Sequence, residues 1–391
     1  MLNLKELVRD GRLFLDHEAD ARVMAYIPTT YASNHAANLI ELDNGDLLCT
    51  WFAGLAEGSR DIKIVYSRLP KGAERWTQAE LLSSDYERSE QNPSFFQEQG
   101  GRLWLLHTAQ KSRGLMTPEE WAQKRRRGEV TGHFSMQETA EVRRRLSDDG
   151  GYTWSDTESY FTKPGAFCRH PIAVLSNGDW IFPMWYSLVE EDASKPQYGR
   201  DYSVVKISTD AGKTWTQYDV PGSEKRVHMC VLEPTPGRRP GHLLAFFRSR
   251  SGDRIYRAFS EDYGRTWTVP QATCLPNNNA SIQAIRLQSG AVAVIYNDCK
   301  GGDDPKAVLW PRQRVPVVIA LTYDEGETFP HRRTIEFGDG FAGERASQLN
   351  TQHHYPTIIQ SRDGFIHVAY SYHGRICIKY QRISESWIKG E

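Results

Sequence analysis

An eight-residue pattern, S-x-D-x-G-x-T-W, occurs three times in this chain, as Ser147–Trp154, Ser208–Trp215 and Ser260–Trp267. A weaker copy runs from Thr322 to Phe329, and the four copies start 61, 52 and 62 residues apart. Recurrence at such intervals means that one supersecondary unit is built several times over. The chemistry of the octad is that of a hairpin turn. Its Asp carboxylate accepts backbone N–H groups, its Gly takes positive φ, and its closing aromatic packs into the unit. These residues are therefore expected to be scaffold and not to take part in chemistry.

A second repeat agrees with the first. Two apolar strands flank a turn with Gly at Asn44-Gly45, Gly100-Gly101, Asn177-Gly178, Gly237 to Gly241, Ser289-Gly290 and Asp363-Gly364. Each reads as the two inner strands of a sheet joined by a tight turn, which makes six units. The last unit runs out after Tyr380, so the stretch around Arg22–Thr30 is expected to supply its outer strand and close a ring. One segment, residues about 111–133, interrupts the second unit. Thr117-Pro118-Glu119-Glu120 is a helix start with a Thr cap and Pro in the first turn. A short helical insertion is expected there, its Lys124–Arg127 run forming a solvated face; a rim over a pocket or a subunit contact is the sharper alternative, so a homo-oligomer stays open.

These repeats resemble those of the Asp-box, or bacterial neuraminidase repeat (BNR), proteins of the sialidase superfamily. The resemblance implies an all-β, six-bladed propeller of four-stranded blades, one sialidase-like domain over residues 1–391 with the insertion in blade two. Composition fits. Apolar residues are 39% of the chain and aromatics 11%, enough for a large β core. The formal net charge of −1 gives no reason to expect a nucleic-acid or membrane partner. The six Cys are scattered without a C-x-x-C pair and are expected to be free thiols, several of them buried on strands. The first ten residues carry charges with no apolar core behind them, so a cytoplasmic protein is expected.

In a propeller the innermost strand of each blade lines the axis. Here those strands open on Asn34-His35, Gln91-Asn92, Arg169-His170, Val227-His228, Asn277-Asn278-Asn279 and His353-His354-Tyr355. Six separate segments thus send polar groups, five His among them, towards one axis, where a ligand site is expected. No spacing typical of metal ligands accompanies them, so neither metal nor cofactor is expected.

The superfamily holds its sugar carboxylate with three Arg and uses a Tyr nucleophile, a Glu that activates it and an Asp as acid/base. The resemblance places the nucleophile at Tyr355, nine residues before Gly364, and two of the Arg at Arg248 and Arg314. It places the acid/base at Asp61, with Glu57 as the nearby substitute. His35 stands where the first Arg should be, and His228 where the Glu should be. Arg169, His170, Asn92, Asn279, Gln283 and His354 complete the expected substrate-binding set. Two Arg suit an acidic oligosaccharide or glycoconjugate. Three readings stay open: an exo-acting glycosidase with His228 as the base for Tyr355; a lyase acting on a uronic acid by β-elimination; and a glycan-binding propeller without turnover.

Overall fold

The computed structural model describes residues 7–16, 19–189, 198–338 and 352–391. Its strands form six antiparallel sheets, each wound from the axis outwards. Blade 1 runs Ser33–Glu41, Leu47–Gly54, Lys63–Leu69 and Glu80–Ser83. Blades 2, 4 and 5 repeat that order in sequence, beginning with Arg88–Gln97, Arg226–Leu232 and Gln283–Arg286. Blade 3 has its inner strand in two pieces, Ala166–Cys168 and Ala173–Val174, both paired with Trp180–Tyr186. Blade 6 holds His354–Gln360, Ile366–Tyr372 and Cys377–Ile383, and its next strand comes from the other end of the chain: Ala19–Ile27 pairs with Cys377–Ile383. The six-bladed ring is therefore closed by the N-terminal strand, as the early exhaustion of the last repeat predicts.

The core lies between blades. Six apolar clusters each join two consecutive blades, and one of them unites Ala25, Ile27 and Tyr380 of blade 6 with Leu39, Trp51 and Val65 of blade 1. The octads occupy the turns between the third and fourth strands of blades 2 to 5. In blade 3 the Asp210 carboxylate accepts from the N–H and hydroxyl of Thr214 and from Ser208 Oγ, and Ser208 Oγ accepts from Gly212 N–H. The same bonds recur around Asp149, Asp262 and Asp324. Gly212, at φ +81°, also packs onto its neighbours: a Cβ there would lie 2.8 Å from Trp104 of blade 2 and from Trp180. The octad is a joint between blades as well as a turn.

The inner strands carry a third repeat that sequence inspection misses. His35 and Asn38 face Phe52 and Thr50, so the inner strand has one residue more than its partner. The same bulge falls between Gln91 and Ser94, Val227 and Cys230, and His354 and Thr357. One residue at each bulge has positive φ: Ala36 (61°), Asn92 (51°), His228 (51°) and Tyr355 (49°), and Asn279 (57°) matches them just before the inner strand of blade 5. Bulges re-aim side chains and left-handed non-Gly residues store strain, and both gather where function does.

The insertion lies between Leu103–Lys111 and Glu141–Ser147. Its helix, Pro118–Arg126, starts at a capping box made by Thr117 and Glu120, and the basic run at its end is largely exposed. Among the described residues no helix is long and apolar enough to cross a membrane. All six Cys are free, and Cys49, Cys168, Cys230 and Cys377 are buried.

Candidate active site

A cavity of about 250 Å³ opens on the axis, and every blade contributes to it. Blade 6 supplies Tyr355, blade 4 His228, Arg248 and Arg250, and blade 2 Gln91, Asn92 and, from its insertion, Gln137. Blade 1 adds Glu57, blade 5 adds Trp310, and blade 3 adds Phe167, Trp185 and Tyr198. One wall is a stack of rings: Phe167 lies 5.1 Å from Trp185, and Trp185 lies 4.3 Å from the His228 imidazole, all close to parallel. Such a wall suits the C–H face of a sugar ring.

Arg248 organises the polar side. It is fully buried and ends the second strand of blade 4. Its Nε donates to Asn279 Oδ1 (2.8 Å), and its Nη1 donates to His228 Nε2 (2.9 Å) and to the Tyr355 hydroxyl oxygen (2.5 Å). Among the described residues its Nη2 is buried without a protein partner, and so is Nη1 of Arg314, whose guanidinium carbon lies 5.9 Å from the centre of the Tyr355 ring. Burial alone would push the Tyr355 phenol up. Arg248, with Arg314 and Arg250, outweighs burial and the Glu57 carboxylate, and the phenol titrates below its ordinary value.

His228 is not placed to act as a base. Its Nε2 accepts from Arg248, a group that can only donate, so its proton sits on Nδ1 and is given to Ser281 Oγ (3.0 Å). Burial, then Arg248, holds its pKa well below that of a free imidazole, and at neutral pH it is uncharged. Its Nε2 lone pair is thus engaged by Arg248 and not turned to the Tyr355 hydroxyl.

Other expected site residues fall in different places. Asn92 and Glu57 line the cavity, and Arg375 holds the Glu57 carboxylate at 2.8 Å. Asp61 does not reach the cavity; its carboxylate accepts from Leu55 N–H and Ser59 Oγ and ties its own loop together. Of the two acids proposed in this loop, the one in the cavity is Glu57. Gln283 is likewise structural, accepting from Thr357 Oγ1 (2.7 Å) and Ile358 N–H (3.2 Å) and so joining blade 5 to blade 6. Arg169 lies below the cavity, fully buried, with its guanidinium on the carbonyls of Ala37 (2.9 Å) and Tyr355 (3.3 Å) and on Ser281 Oγ (3.3 Å). It is a bolt across the axis and is not among the residues that line the cavity. His170 is buried, its pKa lowered to about 3 by burial and Arg169, and it does not line the cavity.

His35 and His354 also sit under the cavity. His35 bonds Ser371 Oγ (2.9 Å) and packs its ring 4.3 Å from that of Tyr355, with His354 5.1 Å beyond. They support Tyr355 from below. Asn279 acts through Arg248 and does not line the cavity.

Arg250 was missed by the sequence reading. Two residues past Arg248, it stands in the turn that follows the strand and lines the same cavity. Its guanidinium is held by the buried Asp201 carboxylate at 2.7 Å. Among the described residues no group of three or more His, Cys, Asp or Glu is placed to hold a metal ion.

Known structures share this architecture. The Hadza microbial sialidase Hz136 superposes with a TM-score of 0.67 at 18% identity, over 91% of this chain and 66% of that one. The intramolecular trans-sialidase of Ruminococcus gnavus superposes with a TM-score of 0.65 at 13% identity, over 93% of this chain and 97% of that one. At such identities the likeness is one of fold. A sialidase of Paraclostridium sordellii is 31% identical over 137 residues, which span 32% of this chain and 31% of that relative. The BNR repeat-like domain family matches residues 45–368, and the chain accordingly belongs to that family, within the sialidase-like superfamily.

Proposed function

We propose that this protein is an exo-acting glycosidase that releases a terminal acidic sugar, a sialic-acid-like or uronic acid residue, from a glycan. The observation that carries this reading is the Arg248–Tyr355 pair: a phenol oxygen 2.5 Å from a guanidinium, beside two buried guanidinium nitrogens that have no protein partner among the described residues. Nη2 of Arg248 and Nη1 of Arg314 suit a carboxylate, which takes charge-assisted bonds from such groups. The cavity is about the size of one sugar, and its ring-lined wall offers an apolar face.

Tyr355 reacts as the phenolate that the neighbouring guanidinium groups stabilise: its Oη forms a bond to the anomeric carbon while the glycosidic C–O bond breaks. The electron pair leaves with the aglycone oxygen, which takes a proton from the Glu57 carboxyl. Water next attacks the anomeric carbon and gives its proton to Glu57, and Tyr355 departs as phenolate. The anomeric configuration is retained. The test is a panel of sialosides and uronate-capped oligosaccharides, with wild type and Tyr355→Phe compared. Release of an acidic monosaccharide by wild type alone supports the reading, and equal rates refute it.

One observation favours a second reading, β-elimination on a uronic acid. The recorded partner of the Tyr355 hydroxyl is a cation and not a base. A phenolate so held can itself remove the proton next to a carboxylate that guanidinium groups neutralise. A lyase leaves an unsaturated sugar that absorbs ultraviolet light, and a hydrolase does not.

A further inference from the structure

Arg248 and Arg250 stand two residues apart, both buried and both lining the cavity, yet they are held in opposite ways. Arg250 lies on the Asp201 carboxylate, bonded at 2.7 and 3.1 Å, so its charge is met by an anion. Arg248 rests on three acceptors, the Asn279 amide oxygen, the His228 imidazole and the Tyr355 oxygen. Among the described residues it forms no ion pair.

We infer that His228 is a positioning residue: an uncharged acceptor that fixes Arg248 in place without cancelling its positive charge, leaving that charge to act on the Tyr355 oxygen and on an incoming carboxylate. Three features build this role. The ring is clamped between Trp185, stacked at 4.3 Å, and Tyr355, edge-on at 5.5 Å. Its tautomer is set from behind, because Ser281 Oγ accepts a hydrogen bond from Nδ1–H while also accepting one from Arg169 Nε. Its backbone is held at φ 51° by the bulge of the inner strand, which turns the ring towards the axis. Burial opposes protonation of the ring first, and the neighbouring Arg248, Arg250, His170 and Arg169 add to it. Those facing the Tyr355 oxygen are Arg248, Arg314 and Arg250, countered by Glu57. A carboxylate at position 228 would pair with Arg248, and the phenol would titrate higher.

The inference rests on the reading of Tyr355 as the reacting group, but its main test needs no substrate. Tyr355 is titrated by tyrosinate absorbance, as the difference between a protein and the same protein carrying Tyr355→Phe. This is done for wild type, His228→Gln and His228→Glu. Gln can place an uncharged oxygen near the Nε2 position, and it is expected to leave the midpoint within about 0.5 pH unit of wild type. Glu is expected to raise it by about one unit or more. On a cleaved glycan, the alkaline shift in the pH–rate profile should follow the same order, with Gln retaining more activity than Glu. Equal Tyr355 midpoints in Gln and wild type beside an inactive Gln and an active Glu variant would overturn the inference, because position 228 would then be supplying a base. A Glu variant that titrates with wild type would overturn it too. Should the Glu variant fail to fold, the Gln variant decides alone: retained activity supports the inference and loss of activity with intact folding rejects it. If no glycan is cleaved at all, the catalytic reading falls and the titration still stands.

Discussion

Two sets of repeated turns hold this ring, and they treat their polar groups in opposite ways. At the perimeter, the octad carboxylates are saturated: Asp210 takes the N–H and hydroxyl of Thr214 and the hydroxyl of Ser208, all within one exposed turn. At the axis, the bulged strands hold non-Gly residues at positive φ, and beside them Arg248 Nη2 and Arg314 Nη1 have no protein partner among the described residues. A repeat whose hydrogen bonds close on themselves is scaffold. A repeat that leaves strong donors open is where a ligand is wanted, since orphaned buried donors cost stability that only a partner restores.

The comparison can be broken most decisively at its centre. Tyr355→Phe is expected to lower kcat by about 10³-fold or more while the thermal midpoint changes little, because the hydroxyl has Arg248 as its recorded partner. Arg248→Lys should cost about 10²–10³-fold in kcat/KM for acidic substrates, since a lysine ammonium cannot bridge Asn279, His228, Tyr355 and a carboxylate together. Glu57→Gln should slow poor leaving groups by about 10²-fold and spare activated aryl glycosides. Equal loss on both substrate types would remove Glu57 as the acid.

Changes at the perimeter should do the reverse. Gly212→Ala places a Cβ against Trp104 and Trp180 at φ +81° and is expected to cost about 1–3 kcal/mol in stability with kcat unchanged. The smallest effect belongs to Asp210→Asn. Hydrogen bonds, first from the Thr214 hydroxyl, hold the Asp210 carboxyl at about 2, below its ordinary 3.8. A depressed carboxyl stabilises the fold above the unfolded value and stops doing so as pH falls through the folded one. The Asn variant should therefore melt slightly below wild type at neutral pH, and the gap should close between about pH 4 and pH 2. A gap that persists below that window would mean the turn depends on shape and not on charge.

Fold and site were legible to different degrees, for physical reasons. The octads and turn glycines mark blades because a tight turn admits few residue types at Asp210 or Gly212. Ring closure was legible because the last repeat lacks a strand. The axis was legible as a place, and Tyr355, His228, Arg248, Asn92 and Glu57 do line the cavity. Roles were harder to read. Arg169 and Gln283 have the same residue types as ligand contacts, but their partners are backbone carbonyls across the axis and a threonine of the next blade, which no local pattern encodes. Phe167 and Trp185 sit in apolar runs that read as core, yet both line the cavity, in a blade whose inner strand is broken after Cys168. Asp61 and Glu57 share a loop, and only the turn between Leu55 and Asp61 decides which of them points inwards.

The central claim is that the open guanidinium groups beside Tyr355 receive an acidic sugar and that Tyr355 acts on it. Mass spectrometry of sialosides and uronate-capped oligosaccharides after incubation with wild type and with Tyr355→Phe tests this most directly. Loss of one acidic residue from the chain end with wild type, and none with the Phe variant, is the expected result. Intact acidic glycans with both proteins, or the same product formed equally fast by both, would contradict it.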